Sequence, residues 1–337
     1  MRRTPLPSTW TCGGPRHVRR SARAGGGVRP SSIAAGPVTP PRHVVTLLRG
    51  GLGNQLFQYA AALTVTASSE RQRVRAVSYG SEWGPDHPDL ASLAGIEIQY
   101  PDRRLRSLYP GISVRESWRD DVSRATARAW GALTGIELIR QEDPFAPRPA
   151  TLAAAREVVL DGFFQHHDWW TDSWEQVAHT IDARRPDGVD DLRSQRRTAI
   201  KLRRSDYLGR GIVLVDDYYR RALAALDVNN CEVVVICEDV DYIPTFAALL
   251  SERGCEARMP EPLTGNPNID DFWHLAAAQR QVLANSSYCW WAAAVARVSM
   301  EETEAAYPTP WLPNSWSVGQ LPDMGLPGWV SIPTEFE

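Results

Sequence analysis

The sequence predicts an α/β protein of two lobes with mainly parallel sheets, and three observations lead to that expectation. At 337 residues the chain exceeds the usual single-domain size, so two cores of roughly 150 residues each are the default. An apolar run at Val44 passes through a glycine-rich turn into a helix-like stretch, as nucleotide folds open. From Thr198 onward strands and helices alternate, the pattern of a parallel sheet with crossover helices whose ligands bind at the carboxyl ends of the strands.

Taken in order, residues 1–42 are rich in Arg, Gly, Pro and Ser and lack the apolar core of a secretory signal. They read as a disordered leader or as a start assigned too far upstream, and are left out of the fold. Residues 43–185 form the N-terminal lobe. Its Val44–Leu48 run reads as a short buried strand and Asn54 to Thr66 as a helix. Short β-like pieces at Ile96–Tyr100 and Val158–Phe164 follow, separated by Pro-bounded loops. Residues 186–337 form the C-terminal lobe. Here Thr198–Leu202 and Glu232–Cys237 read as strands, and Asp216–Leu226, Ile243–Arg253 and Ile269–Gln281 as helices. Pro308, Pro310 and Pro313 open an irregular tail.

Composition narrows the partners. A formal net charge of -3 exerts no overall pull toward nucleic acid or a membrane surface. Five cysteines, an odd number with no C-x-x-C pair, argue against both a disulfide framework and a zinc site. They read as reduced, mostly buried thiols of a cytosolic protein. The longest apolar run, Tyr288 to Ala296, is about half of what spans a bilayer.

Four segments carry chemistry. In Arg49–Ala60, RGGLGNQLFQYA, Gly51 and Gly53 let backbone N–H groups approach an anion, and Asn54 is placed to cap a helix; an ordinary strand-to-helix turn is the bland alternative. In Ile200–Tyr207, IKLRRSDY, Arg203 and Arg204 follow an apolar strand and present donor forks suited to phosphate oxygens, while Asp206 can pin one of them. A solvated basic stretch continuing from Arg196 and Arg197 is the competing reading. In Val233–Asp239, VVVICED, a buried strand delivers Glu238 and Asp239, which can accept from the N–H edge of guanine or cap the next helix. In Val282–Trp291, VLANSSYCWW, a strand ends in Asn285, Ser286 and Ser287 and then starts a helix, a second anion-binding geometry. The two tryptophans suit a core better than a sugar platform.

Together these segments resemble the α-1,2-fucosyltransferases of bacterial type, a glycosyltransferase family. GGLGNQLFQYA resembles the family's GGLGNQ-(M/L)-FQYA opening, KLRRSDY its HxRRxDY motif, DDYY the helix that follows, LANSSYCWW its IANSSFSWW signature, and Gly162–Gln165 of DGFFQ its G-(Y/F)-(W/F)-Q segment. The resemblance covers residues 44–66 and 160–300. It implies a GT-B-like fold of two Rossmann-type lobes, with the acceptor on the N-terminal side and a GDP-sugar held mainly by the C-terminal lobe. It also implies inverting transfer of L-fucose from GDP-fucose to the 2-hydroxyl of a galactose-type residue, with no metal and no cofactor. The partners would be a GDP-sugar donor and a glycan or small glycoside acceptor, with no nucleic acid and at most peripheral membrane contact. The expected place is the cytoplasm, with the inner face of the membrane as the alternative.

By that resemblance Arg203 would stabilise the leaving diphosphate, with Arg204 and Asp206 in support. Glu238 or Asp239 would meet guanine, and Ser286 and Ser287 would donate to the diphosphate. Gln165, His166 and His167 follow the DGFFQ segment and are the acceptor-side candidates, an exposed structural His pair being the other reading. No DxD is placed to hold a divalent ion, since DDYY and DDFW look helical. One departure stands out: Lys201 replaces the family's His, which adds a charge and removes an acceptor. It leaves open a different GDP-deoxysugar, and a non-catalytic nucleotide- or glycan-binding protein is the alternative of another class.

Overall fold

Apolar strands that pair on both edges explain the architecture. The computed structural model describes residues 43–66, 73–78, 88–100, 135–149, 155–317, 319 and 321–336; the predicted leader and Cys12 lie outside them. The described residues belong to one compact unit, Val38–Glu337, which holds two sheets. In the first, β1 (His43–Leu48), β2 (Arg73–Ser78), β3 (Ile98–Gln99), β4 (Ile136–Arg140) and β5 (Glu157–Asp161) run in the order β3-β2-β1-β5-β4. In the second, β6 (Thr198–Leu202), β7 (Glu232–Cys237), β8 (Glu256–Arg258), β9 (Arg280–Val282), β10 (Glu304–Thr309) and β11 (Val330–Pro333) run in the order β11-β10-β9-β6-β7-β8. Every pairing within the two sheets is parallel. That is why β1, β5, β6 and β7 read as near-continuous apolar runs rather than alternating ones. The fold is thus an α/β, GT-B-like pair of Rossmann-type sheets.

Helices complete the crossovers: α1 (Leu52–Thr66), α2 (Pro88–Ala94), α3 (Trp174–Asp182), α4 (Val189–Ser194), α5 (Ser205–Leu208), α6 (Asp216–Ala225), α7 (Ile243–Ser251), α8 (Pro267–Ala276) and α9 (Ser287–Ser299). Helix α9 is buried on all sides from Cys289 to Ala296 and joins the lobes. The Trp290 ring lies 4.9 Å from Phe57, 4.7 Å from Trp170 and 5.0 Å from Trp291, centroid to centroid. Its indole N–H donates to Met324 O at 2.6 Å. Trp290 and Trp291 are therefore core, as their composition suggested, and tilted contacts of this kind add about 0.5–1.5 kcal/mol each beyond area burial.

Four expectations are corrected. The helix expected over Ile269–Gln281 ends at Ala276, because the Gln279 and Arg280 N–H groups bond to Arg197 O and draw the chain into β9. The tail after Pro308 is not wholly irregular: β10 runs through that proline, which sits past the last residue paired with β9. The strand expected to reach Phe164 stops at Asp161, and the β-like Ile96–Tyr100 shrinks to Ile98–Gln99. The four described cysteines are free thiols, with Cys237, Cys255 and Cys289 buried.

Candidate active site

In the second sheet the strand order reverses between β6 and β9, and in the first it jumps between β1 and β5. Loops leaving the carboxyl ends of strands diverge there and open a crevice. The loops after β1, β5, β6 and β9 line one cleft of about 650 Å³.

The N-terminal wall is the glycine loop. Gly50 adopts φ +68, which favours glycine. Gln55 donates to Gly50 O at 2.7 Å, while Gln58 accepts from Arg49 N at 2.9 Å and donates to Arg49 O. The two glutamines thus hold the loop's shape, and Gln55, although at the cleft, is engaged with backbone. Helix α1 starts at Leu52, two residues before the expected position, so Asn54 lies in its first turn rather than at the cap. Instead Asn54 Oδ1 accepts from Ser287 Oγ and from Gln165 Nε2, each at 2.8 Å. One amide ties together three of the segments singled out in the sequence. A Cβ on Gly53 would come closer than 3.0 Å to Tyr288 N and to Ser287 C and O. The starts of α1 and α9 are therefore in backbone contact, and two helix N-termini, each with partial positive charge, meet at the cleft.

The C-terminal wall is charged. Arg203 lines the cleft, with Nη1 at 2.6 Å from Glu238 Oε1 and Nη2 at 2.9 Å from Asp206 Oδ1. Asp206 thus pins Arg203 as expected. Burial works against the Arg203 charge, but Glu238, Tyr207 and Asp206 outweigh it and hold its pKa above the ordinary value. Arg204 does not line the cleft: its guanidinium stacks 3.7 Å over the Tyr242 ring and its Nε lies 3.5 Å from Asp239. Consecutive residues leaving a strand point to opposite sides, so the pair is divided. Lys201 is only 4% exposed, with Nζ at 3.0 Å from Glu238 Oε1 and 3.5 Å from Asp271 Oδ2. Burial pushes Glu238 up, yet Lys201 and Arg203 together keep it below the usual carboxylate range. Asp271 is pushed up by burial, which Lys201 only partly offsets. Glu238 and Asp239 are thus engaged by cations.

Among curated proteins the chain is similar to the α-1,2-colitosyltransferase of Escherichia coli, 23% identical over 295 residues that cover 80% of this chain and 92% of that protein. Among solved structures it is similar to the fucosyltransferase NodZ from Bradyrhizobium at 12% identity and TM-score 0.42, over 75% of this chain and 93% of that one. It is also similar to POFUT1 in complex with GDP, at 10% identity and TM-score 0.40 over 79% and 97%. The E. coli heptosyltransferase WaaC with ADP follows at 11% identity and TM-score 0.41 over 86% and 93%. No protein-family model matches the chain. The sequence likeness and the two parallel sheets agree on a glycosyltransferase fold of the GT-B-like kind.

Other expected site residues are distributed unevenly. Ser286 and Ser287 line the cleft, whereas Asn285 is buried below it, donating to Ile212 O at 3.0 Å and accepting from Tyr207 Oη through its carbonyl. Gln165 reaches Asn54, but His166 and His167 do not line the cleft. Their rings stack at 4.1 Å beside Asp168, and His166 Nδ1 accepts from Asp168 N. Burial, followed by the neighbouring His167, lowers the His166 pKa. Among the described residues these three side chains form the one cluster able to offer three ligands to a metal ion. DDYY and DDFW are helical, as read, since they open α6 and lie within α8.

Sequence reasoning missed several groups. Asp271 reaches the cleft from α8, and Asp89 reaches it from α2, where it accepts from Asn266 Nδ2 at 2.8 Å and Asn268 Nδ2 at 3.2 Å. Asp161, buried at the end of β5, pairs with Arg49 and Arg140. Phe164 adopts φ 53, an outlier for a bulky residue, held by its N–H donating to Gln141 Oε1 at 2.6 Å. Phe163 on one side of it lines the cleft and Gln165 on the other meets Asn54. The DGFFQ letters were the available signal; no local pattern marked Asp89 or the left-handed turn. Among the described residues no helix is long and apolar enough to cross a membrane.

Proposed function

We propose that the chain transfers a deoxysugar, L-fucose in the first reading, from a GDP donor to a hydroxyl of a glycan or small glycoside, the 2-hydroxyl of a galactose-type residue. The observation that supports it best is Arg203, held at the end of β6 in a cleft where the N-termini of α1 and α9 meet. As the acceptor oxygen attacks the anomeric carbon from the face opposite the diphosphate, the glycosidic C–O bond breaks and its electron pair goes to the leaving GDP. A fixed guanidinium and two helix starts stabilise that growing charge, the work a metal does in other transferases. The attacking hydroxyl releases its proton late when the sugar is oxocarbenium-like, so modest base assistance suffices.

Arg203→Ala removes that charge and is expected to lower turnover by roughly 10²–10³. Retention of more than about a tenth of wild-type activity would overturn the assignment. The direct test measures binding and slow hydrolysis of a panel of GDP-sugars, with and without EDTA. Hydrolysis separates an enzyme from a non-catalytic binding protein, and activity that disappears with EDTA would refute the metal-free mechanism.

A second donor is favoured by two observations, the colitosyltransferase relative and Lys201 in place of His. Colitose lacks one ring hydroxyl of fucose. Competition between GDP-fucose and GDP-colitose therefore reads the choice directly, and a preference for GDP-colitose would replace fucose in the proposal without disturbing the role of Arg203.

A further inference from the structure

Arg203 already has two carboxylate partners. Both its terminal nitrogens face carboxylates, Glu238 at 2.6 Å and Asp206 at 2.9 Å. Among the side chains lining the cleft, Lys201, Arg203 and Arg210 supply three positive charges against four negative ones from Asp89, Asp206, Glu238 and Asp271. A diphosphate adds further negative charge to a site whose balance already has that sign. Each terminal nitrogen keeps a second N–H for a phosphate oxygen, but the guanidinium charge is shared with two carboxylates and turns fully to the diphosphate only if one of them moves.

Glu238 has somewhere to go. The same oxygen, Oε1, that lies 2.6 Å from Arg203 also lies 3.0 Å from Lys201 Nζ. Glu238 is about one-third exposed, so a carboxylate left there without a cation is only moderately disfavoured, and one that exchanges a shared partner for a single strong one is not. Lys201, 4% exposed and anchored on its far side by Asp271 at 3.5 Å, is fixed in position to accept it. A neutral side chain there would leave Glu238 with Arg203 as its one close cation, in direct competition with the phosphate.

We propose that Glu238 is a movable counter-ion that covers Arg203 in the empty cleft and passes to Lys201 when the donor diphosphate arrives, making Lys201 the positioning residue that sets affinity for GDP. This rests on the reading of the cleft as a nucleoside-diphosphate site. The effect falls on donor binding, so KM for the donor moves more than kcat.

A double-mutant cycle read by calorimetric titration with GDP tests it, with circular dichroism to check folding. Lys201→Met is expected to weaken GDP about tenfold or more, Glu238→Gln to bind GDP at least as tightly as wild type, and the double variant to return to within about threefold of wild type. If Lys201→Met alone does not fold, the Glu238→Gln and double variants still carry the test. A double variant as weak as Lys201→Met would show that Lys201 meets the diphosphate itself, and a Glu238→Gln that loses GDP would show that Glu238 binds the nucleotide; either overturns the handover. Wild-type protein that binds no GDP would instead overturn the nucleotide reading, and the handover with it.

Discussion

Gly53→Ala is the substitution whose effect follows most directly from the geometry. The added Cβ would lie closer than 3.0 Å to three backbone atoms of Ser287 and Tyr288, which no side-chain rotation can relieve. To restore ordinary contact the starts of α1 and α9 must separate by about an ångström. Forcing a methyl group into a packed contact costs about 1–3 kcal/mol. Loss of the 2.8 Å bond from Ser287 to Asn54, which crosses the same contact, adds roughly 1 kcal/mol. With a melting temperature that moves about 2 °C per kcal/mol in a domain of this size, the expected fall is about 4–8 °C by scanning calorimetry. GDP binding should weaken in parallel, since the two helix N-termini no longer converge. Gly51→Ala is the matched control: no heavy atom lies within 4 Å of its added Cβ. It should keep stability within about 0.5 kcal/mol while projecting a methyl group at the cleft wall. A Gly53→Ala protein that melts with wild type would refute the contact between α1 and α9.

Two further outcomes follow from the packing and the charges. Trp290→Ala opens a cavity beneath both lobes and leaves Met324 O without its donor, so urea titration should show a loss of about 3–5 kcal/mol; a loss under 1 kcal/mol would contradict its place in the core. The carboxylates beside Lys201 should shape acid stability with opposite signs. Glu238 has a lowered folded pKa, so its stabilisation is complete above the ordinary glutamate value near 4.3 and is lost as pH falls through the lower folded value. Asp271 has a raised folded pKa, so the protein loses stability as pH rises from about 4 through that value. Denaturant midpoints between pH 3 and 7 should therefore shift in opposite directions for Glu238→Gln and Asp271→Asn, and shifts of the same sign would exclude this account.

Much of the fold was legible because parallel strands buried on both faces leave uninterrupted apolar runs. Thr198–Leu202 and Glu232–Cys237 match their strands residue for residue. Short or proline-bearing strands were harder to read. β3 has two residues, β8 has three, and β10 contains a proline, so none presents a run long enough to stand out. The end of α8 was misplaced for a different reason: Ala277 and Ala278 favour helix, and only the distant Arg197 carbonyl turns the chain into β9.

The site was legible in an uneven way, and the pattern bears on the identity of the sugar. Within GGLGNQLFQYA, Gly53 permits a helix contact, Gln55 and Gln58 hold the loop, and Asn54 joins Ser287 to Gln165. These letters chiefly specify how two lobes meet around a cleft. Arg203 carries the charge within the motifs, and its neighbour Arg204 faces elsewhere because strand residues alternate. Glu238 was visible as a carboxylate at a strand end, but its engagement by both Lys201 and Arg203 was not, since it depends on side chains converging from different strands. The groups that give the cleft its remaining chemical character, Lys201, Asp271, Asp89 and Phe163, come from β6, α8, α2 and the loop after β5. Of these, Phe163 matches its motif letter, Lys201 is the one departure within its motif, and Asp271 and Asp89 lie outside the matched motifs. On the proposed function, motif agreement therefore bears strongly on the diphosphate contact and weakly on the sugar, and substitutions at Lys201 and Asp271 should redirect donor preference more readily than any change within the glycine loop.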